Sequence, residues 1–307
     1  MRQVLVASKT CRAALPQEEL RARFAAAGFE AALAPLAERL DALTGYDALV
    51  VGTELVGEEI LAKAPRLALV QKFGVGLDNI DQDAAGRYGV AVRNLAAVNS
   101  GAVAEMAFGL MLSLARRITI GDRDIRGGRW PRLIGTTLRG KTLGIVGTGA
   151  IGTALARLSA GFGMELLGCD VIESQGFRDA GGTYVSIGEV LAKSDFLSLH
   201  LPLRDETRHL IGSAELTAMR PTAYLVNTAR GGIVDERALL DALRAGTIAG
   251  AGLDVLEHEP PGESPLLKLE QVICTPHIAA YDDVTLLAMV DRCVQSLTDF
   301  FTNIDMG

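Results

Sequence analysis

The sequence has few cysteines, no excess of positive charge and no apolar run long enough to cross a membrane. Its four cysteines, Cys11, Cys169, Cys274 and Cys293, lie far apart, which predicts free thiols in a reducing cytoplasm rather than disulfides or a metal site. A formal net charge of -7 leaves no basic surface for nucleic acid or an anionic membrane. The apolar run 106–114 is far shorter than the roughly 20 residues that span a bilayer, and the first residues do not resemble a signal peptide. We therefore expect no metal, nucleic-acid or membrane partner.

Apolar residues are nevertheless abundant, and they recur in the pattern of alternating strands and helices. A hydrophobic fraction of 49% in a chain of 307 residues is sufficient for the cores of two domains. Short, nearly continuous apolar runs predict strands that are buried on both faces, as in parallel sheets between layers of helices. The predicted fold class is α/β with doubly wound parallel sheets. The predicted strands are 3–8, 47–51, 67–71, 142–146, 165–169, 196–200, 223–227, 249–254 and 272–275.

The predicted strands fall into an early and a late series, and a long helical pattern separates the two. A stretch rich in alanine, methionine and leucine at 99–117 predicts this helix. A last helical pattern at 282–301 has no strand after it, so we expect it to return to the first domain. The sequence therefore predicts a discontinuous first domain and a continuous second domain. Their predicted bounds are 1–98 plus 281–307 for the first and 99–280 for the second.

A glycine motif marks the beginning of the second series of strands. Gly147, Gly149 and Gly152 form the pattern G-x-G-x-x-G directly after a predicted strand and at the start of a helical pattern. Such glycines permit a tight turn, a close approach of the backbone to a pyrophosphate and close packing of helix on strand, as dinucleotide binding requires. Asp170 follows the next strand, at about the spacing expected for the acid that binds the adenosine ribose. Because residues 171–173 include no arginine to receive a 2′-phosphate, the sequence predicts NAD rather than NADP.

Three polar residues stand alone at the ends of apolar segments late in the chain, namely Arg230, Glu259 and His277. A guanidinium can bind a carboxylate and polarise a neighbouring carbonyl, an imidazole can deliver a proton at neutral pH, and a carboxylate can hold that imidazole in its charged form. Together these groups predict the reduction of a 2-keto acid. Taken singly, Arg230 and Glu259 are equally compatible with surface charges. His277 could be a structural histidine, but as the sole ionisable group of an apolar segment that follows a strand it favours catalysis. Their occurrence together with the glycine motif favours catalysis.

Six sequence blocks occur in an order that is typical of one enzyme family. They are FGVGLDNID at 73–81, NSGAVAEMAFGLMLSLAR at 99–116, LRGKTLGIVGTGAIG at 138–152, NTARGGIVDE at 227–236, GLDVLEHEP at 252–260 and TPHIA at 275–279. Through these blocks the chain resembles the D-isomer-specific 2-hydroxyacid dehydrogenases, and within them the phosphoglycerate dehydrogenase-like branch. The resemblance implies two Rossmann-like domains, the first substrate-binding and flavodoxin-like, the second NAD-binding, in a homodimer assembled through region 99–130. It also implies an NAD-dependent oxidoreductase that interconverts a 2-keto acid and a D-2-hydroxy acid.

The resemblance further implies a role for each residue at the site. Arg230 would bind the substrate carboxylate and polarise the keto oxygen, and the amides of Val75 and Gly76 would bind the other carboxylate oxygen. His277 would exchange a proton with the keto oxygen during hydride transfer, and Glu259 would pair with His277. Asp254 would lie at the nicotinamide carboxamide. The residues implied at NAD are Gly147, Gly149, Ala150, Ile151, Gly152, Asp170, Leu201, Pro202, Thr228 and Asp254.

The identity of the substrate stays open at this point. Phosphoglycerate dehydrogenases usually place an arginine where this chain has Gly52, and Lys72 is the candidate replacement. Phe73, just before the glycine-flanked loop, favours small or apolar keto acids such as glyoxylate, hydroxypyruvate or pyruvate. Two alternatives remain, namely D-3-phosphoglycerate dehydrogenase specifically and, in a different class, an NADH-sensing binding protein similar to the corepressors built on this fold.

Overall fold

The chain forms two compact units in a computed structural model that describes residues 1–305. One unit consists of Met1–Asn99 together with the described chain from Ala280 onward, and the other consists of Ser100–Ala279. Each boundary lies one residue from the predicted domain boundary. Within residues 1–305, no helix combines the length and the apolar character that crossing a membrane requires.

The first unit is built on a five-stranded parallel sheet with the strand order β2-β1-β3-β4-β5. The strand order changes direction between β1 and β3. β1 and β2 lie on one side of this topological switch point and the other three strands on the other, which is the flavodoxin-like order. The strands are β1 (Arg2–Val6), β2 (Phe29–Leu33), β3 (Ala48–Val51), β4 (Leu69–Lys72) and β5 (Ala91–Arg93). The helices are α1 (Lys9–Ala13), α2 (Gln17–Ala26), α3 (Glu58–Ala62), α4 (Gln82–Arg87) and the last helix, Asp283–Asp305.

Both faces of this sheet are buried, because successive residues of β1 belong to two different apolar clusters. Val4 and Val6 pack into one cluster and Leu5 into the other, and all three are fully buried. The last helix packs into the cluster of Val4 and Val6. The hydroxyl of Ser296 in that helix donates a 2.6 Å hydrogen bond to the buried side chain of Gln71 in β4. The last helix is therefore an integral layer of the first unit.

The second unit is built on a seven-stranded parallel sheet with the order β12-β11-β10-β9-β6-β7-β8. This is the Rossmann order, and its topological switch point lies between β6 and β9, where ligands of such sheets bind at the carboxyl ends of the strands. The predicted fold class is thus confirmed. The strands are β6 (Thr142–Val146), β7 (Glu165–Cys169), β8 (Thr183–Tyr184), β9 (Phe196–Leu199), β10 (Tyr224–Asn227), β11 (Gly250–Leu253) and β12 (Val272–Cys274). The helices are α5 (Ser100–Ala115), α6 (Ile118–Arg126), α7 (Ala150–Ala160), α8 (Gln175–Asp179), α9 (Ile187–Lys193), α10 (Ser213–Ala218) and α11 (Glu236–Ala245).

Three strands, several short helices and the break between α5 and α6 were not predicted from the sequence. β5 and β8 contain only three and two residues, and β2 has one buried residue, Phe29, and no β-branched residue, so these strands carry little of the pattern that identifies a strand. α6 follows α5 after a break of two residues, at which Arg117 adopts a left-handed conformation with a φ of 54°. The predicted helical stretch at 99–117 therefore ends in a turn, and a second helix begins directly after it.

The two cysteines of the first unit are expected to resist thiol reagents in the native protein. Cys11 and Cys293 are fully buried, and burial raises the pKa of Cys11 to about 12 and the pKa of Cys293 well above its ordinary value. The thiolate is the reactive form of cysteine. Cys169 and Cys274 are only partly buried, so a reagent can reach them, although burial raises the pKa of both thiols, that of Cys274 to about 11. We expect Ellman's reagent to label only these two in native protein and all four after denaturation, as peptide mass spectrometry would show. Rapid labelling of Cys11 or Cys293 in native protein would contradict their burial.

Candidate active site

The glycine loop follows β6 at the switch point of the second unit, and each of its glycines meets a different constraint. Gly147 has a φ of 93°, and a Cβ there would lie 2.5 Å from the carbonyl oxygen of His200. A Cβ on Gly152 would lie 2.1 Å from the carbonyl oxygen of Gly147, so α7 can begin this close to the loop only with glycine. A Cβ on Gly149 would meet nothing within 4 Å. The loop therefore combines a tight turn, close helix packing and open space for a pyrophosphate.

Three further residues predicted to bind the cofactor lie beside this loop. Ala150 and Ile151 form the first turn of α7, where backbone amides face an anion most readily. Asp170 follows β7 directly, and its carboxylate accepts a 2.6 Å hydrogen bond from the amide of Thr148. The structure thus places the predicted ribose-binding acid against the glycine loop itself.

Buried polar atoms without a hydrogen-bond partner stand where β9 and β10 end. Leu201 and Pro202 follow β9, and the ring of the preceding His200 approaches the Ser198 hydroxyl at 2.9 Å through Nε2. Burial lowers the pKa of His200 to about 4, so its ring is neutral. Within the described residues, neither Nδ1 of His200 nor the buried hydroxyl of Thr228 after β10 has a partner. Because buried polar atoms are normally paired, these atoms fit a polar ligand at this edge of the sheet, as a dinucleotide would be.

Arg230 stands in the loop after β10, and a glycine lets that loop approach its neighbour. The side-chain amide of Asn227 donates a 2.9 Å hydrogen bond to the carbonyl of Arg230. A Cβ on Gly231 would lie 2.0 Å from the carbonyl carbon of Leu256, so only glycine allows the loops after β10 and β11 to pack together. The second of these loops carries Glu259. The short motif around Arg230 therefore brings the guanidinium to the same edge of the sheet as the other candidate catalytic groups.

His277 and Glu259 form a hydrogen-bonded pair. Nδ1 of His277 lies 2.7 Å from Oε2 of Glu259, and the amide of Leu256 donates a 3.1 Å hydrogen bond to Oε1. Burial alone would raise the pKa of Glu259, but the hydrogen bond and charge of His277, the Leu256 amide and the charge of Arg230 together hold that pKa below its ordinary value. Because an ionised carboxylate only accepts, Nδ1 carries a proton, and Nε2 is the ring atom left to exchange a proton with a substrate.

Asp254 organises the turn that carries His277. It is 1% exposed, and its carboxylate accepts hydrogen bonds from the Thr275 hydroxyl at 2.6 Å and from the amides of Ile278 and Ala279 at 2.9 Å each. The amide of His277 donates to the Asp254 carbonyl at 2.8 Å. His277 has a φ of 55°, a left-handed conformation that costs roughly 1–3 kcal/mol in a residue other than glycine. The hydrogen bonds to Asp254 offset that cost, and the expected role of Asp254 at the nicotinamide stays a prediction.

Replacement of Asp254 by asparagine is expected to lower kcat more than it weakens NADH binding. An amide group keeps one acceptor oxygen, and its NH₂ group opposes the donors on the turn, so His277 loses its fixed position. Loss of a charged buried hydrogen bond predicts a fall in kcat of roughly 10- to 100-fold. Steady-state kinetics and NADH fluorescence titration measure the two effects.

A matched control for this variant is Asp235→Asn. The Asp235 carboxylate also accepts two backbone amides, at the start of α11, and asparagine caps a helix about as well as aspartate, so stability and kcat should both change little. A large rise in the Kd of NADH with kcat preserved in Asp254→Asn would show that contact with the cofactor is the main role of Asp254.

The predicted substrate-binding residues of the first unit lie at and after the end of β4. Lys72 is 6% exposed, and its ammonium donates to the carbonyl of Gly52 and to the side chain of Asn79, each at 2.5 Å. Val75 and Gly76 lie in the loop that follows. Within residues 1–305 their backbone amides donate to no other group, so two consecutive donors are available to an anion.

Three hydroxyl-bearing residues that the sequence analysis did not single out are connected to this site. Thr148 binds Asp170, Tyr184 contacts Thr148, and Thr275 binds Asp254. Thr148 and Thr275 lie within two of the six sequence blocks and Tyr184 lies outside them, and none of these positions indicated its partner. No cluster of three or more His, Cys, Asp or Glu side chains in the described part of the chain could hold a metal ion.

Comparison with known proteins identifies the family. The family model described as "D-isomer specific 2-hydroxyacid dehydrogenase, NAD binding domain" matches residues 108–279. A glyoxylate reductase of Korarchaeum cryptofilum is 44% identical over 263 residues, which cover 83% of this chain and 79% of that protein. A D-3-phosphoglycerate dehydrogenase of Methanocaldococcus jannaschii is 41% identical over 249 residues, which cover 79% of this chain and 47% of that protein.

Solved structures of the same kind share the fold. The D-lactate dehydrogenase of Aquifex aeolicus, complexed with NAD and lactic acid, is 29% identical with a TM-score of 0.87 over 98% of this chain and 96% of that chain. These comparisons do not favour D-3-phosphoglycerate dehydrogenase specifically or an NADH-sensing binding protein. The predictions of a nicotinamide cofactor and of oxidoreductase activity are confirmed. This chain therefore belongs to the D-isomer-specific 2-hydroxyacid dehydrogenases, and it is an NAD(P)-dependent oxidoreductase that interconverts 2-keto acids and D-2-hydroxy acids.

Proposed function

We propose that this chain reduces a small, unphosphorylated 2-keto acid such as glyoxylate or hydroxypyruvate with NADH, and that His277 is the proton donor. The observation that carries the proposal is the 2.7 Å contact between Nδ1 of His277 and the carboxylate of Glu259. A histidine held in this way has one ring nitrogen committed to the protein and one available to a substrate. The similarity to glyoxylate reductases supports the class of substrate.

His277 and Glu259 have different roles in the proton transfer. In the reducing direction Nε2 of the imidazolium of His277 gives its proton to the keto oxygen, while the proton on Nδ1 stays in the hydrogen bond to Glu259. The carboxylate of Glu259 accepts the hydrogen bond from Nδ1 and fixes the plane of the ring. In the oxidising direction the neutral ring takes the hydroxyl proton. NADH, when bound at the glycine loop, supplies the hydride.

Arg230 is assigned to the substrate carboxylate. Its planar guanidinium can donate two parallel hydrogen bonds to a carboxylate, and its positive charge polarises the adjacent keto group. The side chain is partly buried, which strengthens such an interaction relative to one in bulk water. By the same family resemblance we assign the first unit to substrate binding and the amides of Val75 and Gly76 to a carboxylate oxygen.

The cofactor residues are assigned on the same basis. The glycine loop with Ala150 and Ile151 would bind the pyrophosphate, and Asp170 would bind the adenosine ribose through its carboxylate. The other assigned residues follow strands of the seven-stranded sheet at its carboxyl edge, where dinucleotides bind in this fold. They are Leu201, Pro202, Thr228 and Asp254.

The carboxyl end of β3 supports a substrate without a phosphate group. Gly52 supplies no cation there, and its amide donates a 2.5 Å hydrogen bond to the carboxylate of Glu54. The ammonium of Lys72 is bound by the Gly52 carbonyl. Phe73 is 4% exposed within an apolar cluster of the first unit, so it is not available to narrow a substrate pocket, contrary to the sequence-based expectation.

A comparison of four substrates tests the proposed function. The loss of NADH absorbance is followed with glyoxylate, hydroxypyruvate, the phosphate ester of hydroxypyruvate and pyruvate. We expect the highest kcat/KM with glyoxylate or hydroxypyruvate and the lowest with the phosphate ester, which would meet the carboxylate of Glu54. A preference for the phosphate ester would refute the assignment of the substrate class. Tight binding of NADH without turnover of any of the four acids would refute the catalytic role.

A homodimer is the assembly that the second unit supports. Ile118 and Ile125 on α6 are 54% and 55% exposed, and Trp130 and Ile134 after it are 80% and 90% exposed. Clustered apolar side chains of this kind are typical of interaction surfaces. Light scattering after size exclusion should give a dimer, which the pair Trp130→Asp and Ile134→Asp should dissociate while Leu55→Asp, on the first unit, should not. A monomeric native chain contradicts the dimer.

The cytoplasm is the compartment that the cysteines support. All four are free, as is usual where thiols are kept reduced. Fractionation of cells followed by immunoblotting tests this location, and recovery of the protein outside the cytoplasmic fraction would contradict it.

A further inference from the structure

We propose that Tyr184 positions Asp170 through Thr148, and that this arrangement sets the preference of the chain for NAD over NADP. The inference rests on the proposed function, because it assumes that Asp170 binds the adenosine ribose. It adds Tyr184 and Thr148 as positioning residues that act through the carboxylate of Asp170.

A chain of hydrogen bonds leads from the loop after β7 to Asp170. The amide of Ser174 donates to the Tyr184 hydroxyl oxygen at 2.6 Å, and that oxygen lies 2.6 Å from the Thr148 hydroxyl. The hydroxyl and the amide of Thr148 lie 3.3 Å and 2.6 Å from the same oxygen of Asp170. An amide only donates and a carboxylate only accepts, so the direction of every bond is determined. Tyr184 donates to Thr148, and Thr148 donates to Asp170.

The ring of Tyr184 is held in place by packing, so its hydroxyl has a defined position. Phe177 is fully buried and meets the Tyr184 ring edge-on, with 5.1 Å between the ring centroids. Phe177 itself fits only because two residues beside it are glycines. A Cβ on Gly168 or Gly182 would lie 2.5 Å or 2.3 Å from its ring. The loop, the two rings and Thr148 therefore form one packed support for the carboxylate.

An arginine lies beside this support, although the sequence analysis found none directly after Asp170. The guanidinium of Arg178 in α8 lies over the Tyr184 ring, 4.9 Å from its centroid, and forms an ion pair with Glu173. This guanidinium is thus already bound to an acid and to a ring. A 2′-phosphate would meet the fixed negative charge of Asp170 before it could reach Arg178.

Removal of the Tyr184 hydroxyl should weaken the preference for NADH over NADPH. Without it, the Ser174 amide loses its acceptor and the Thr148 hydroxyl loses its donor. The loop 171–174 and the Asp170 carboxylate can then move apart, and Arg178 becomes accessible to a phosphate. NADH then meets an acceptor with a less fixed orientation, and a 2′-phosphate meets a carboxylate that can turn away from it, so the two affinities change in opposite directions.

The variant Tyr184→Phe tests the inference, because it keeps the packed ring and removes only the hydroxyl. The ratio of kcat/KM with NADH to kcat/KM with NADPH is expected to fall about tenfold, the change that one lost hydrogen bond produces. The kcat at saturating NADH should stay within about twofold of the native value, since the reacting atoms are untouched. Tyr224→Phe is the matched control, because its ring stacks on Phe196 in the same sheet, and it should leave the ratio unchanged.

Two further variants separate the possible outcomes. Asp170→Ala should lower the NADH-to-NADPH ratio of kcat/KM at least as much as Tyr184→Phe does. The double variant should have the same ratio as Asp170→Ala alone, because Tyr184 acts through Asp170. If Asp170→Ala lowers the ratio and Tyr184→Phe does not, this inference is overturned and the proposed function stands. If Asp170→Ala has no effect, the assignment of the cofactor site fails as well. Should Tyr184→Phe not fold, Thr148→Val removes the same link and is expected to give the same fall; an unchanged ratio there overturns the inference.

Discussion

Replacing His277 with alanine is expected to lower kcat by about 10²–10⁴-fold, the loss that is typical of a missing general acid. NADH binding should be retained, because the residues around the glycine loop are unchanged. The physical reason is the commitment of Nδ1 to Glu259, which leaves Nε2 of this ring to deliver the proton. Steady-state kinetics with glyoxylate and fluorescence titration with NADH measure the two quantities.

His209 offers a matched control, because it also pairs with a glutamate in the second unit. Its Nε2 lies 3.0 Å from Oε1 of Glu257. His209→Ala removes a histidine–glutamate pair without removing the proposed proton donor, so kcat should stay near the native value. Retention of most of kcat in His277→Ala would end the assignment of the proton donor. Equal losses in both variants would show that the effect is structural.

Replacing Arg230 with glutamine is expected to lower kcat/KM for the keto acid by roughly 100- to 1000-fold. Glutamine keeps a hydrogen-bond donor but loses the charge and the paired donors that bind a carboxylate. The loss should appear with the keto acid and not in the Kd of NADH. Kinetics over a wide range of glyoxylate concentrations, together with NADH titration, separate the two.

Two other arginine variants make this result specific. Arg230→Lys keeps the charge without the planar fork, so its kcat/KM should lie between the native and glutamine values. Arg237→Gln removes an exposed guanidinium in the first turn of α11, and it should have no effect. If Arg230→Gln keeps its kcat/KM, the substrate carboxylate is bound elsewhere.

The central strands could be predicted from the sequence, whereas three of the four edge strands, β2, β5 and β8, could not. β6 and β7 have the predicted bounds, because each is a continuous apolar run that is buried on both faces and followed by a turn signal. β8 contains two residues, and β5 contains three that are only partly buried. Such edge strands depend on pairing with the backbone of a neighbour, which leaves no apolar pattern in their own residues.

The candidate site was predictable at the level of residue types and not at the level of their contacts. The glycine motif could be recognised because only glycine fits two of its positions. At Gly147 and Gly152 a Cβ would collide with a backbone carbonyl oxygen. The support of the His277 turn by Asp254 depends on how the loops after β11 and β12 meet in space. The same holds for the contact between Tyr184 and Thr148. Periodicity identifies elements, but it contains no information about which side chains of distant loops become neighbours.

The last helix has a consequence for the order of events during synthesis. It completes the core of the first unit, yet the whole of Ser100–Ala279 is translated before it. A domain that is continuous in sequence can fold as soon as it leaves the ribosome, whereas a divided one must wait for its final segment. The nascent chain would therefore hold a folded nucleotide-binding half while the earlier half still exposes the apolar face around Val4 and Val6. A ribosome that stalls before Asp283 would present that face to chaperones.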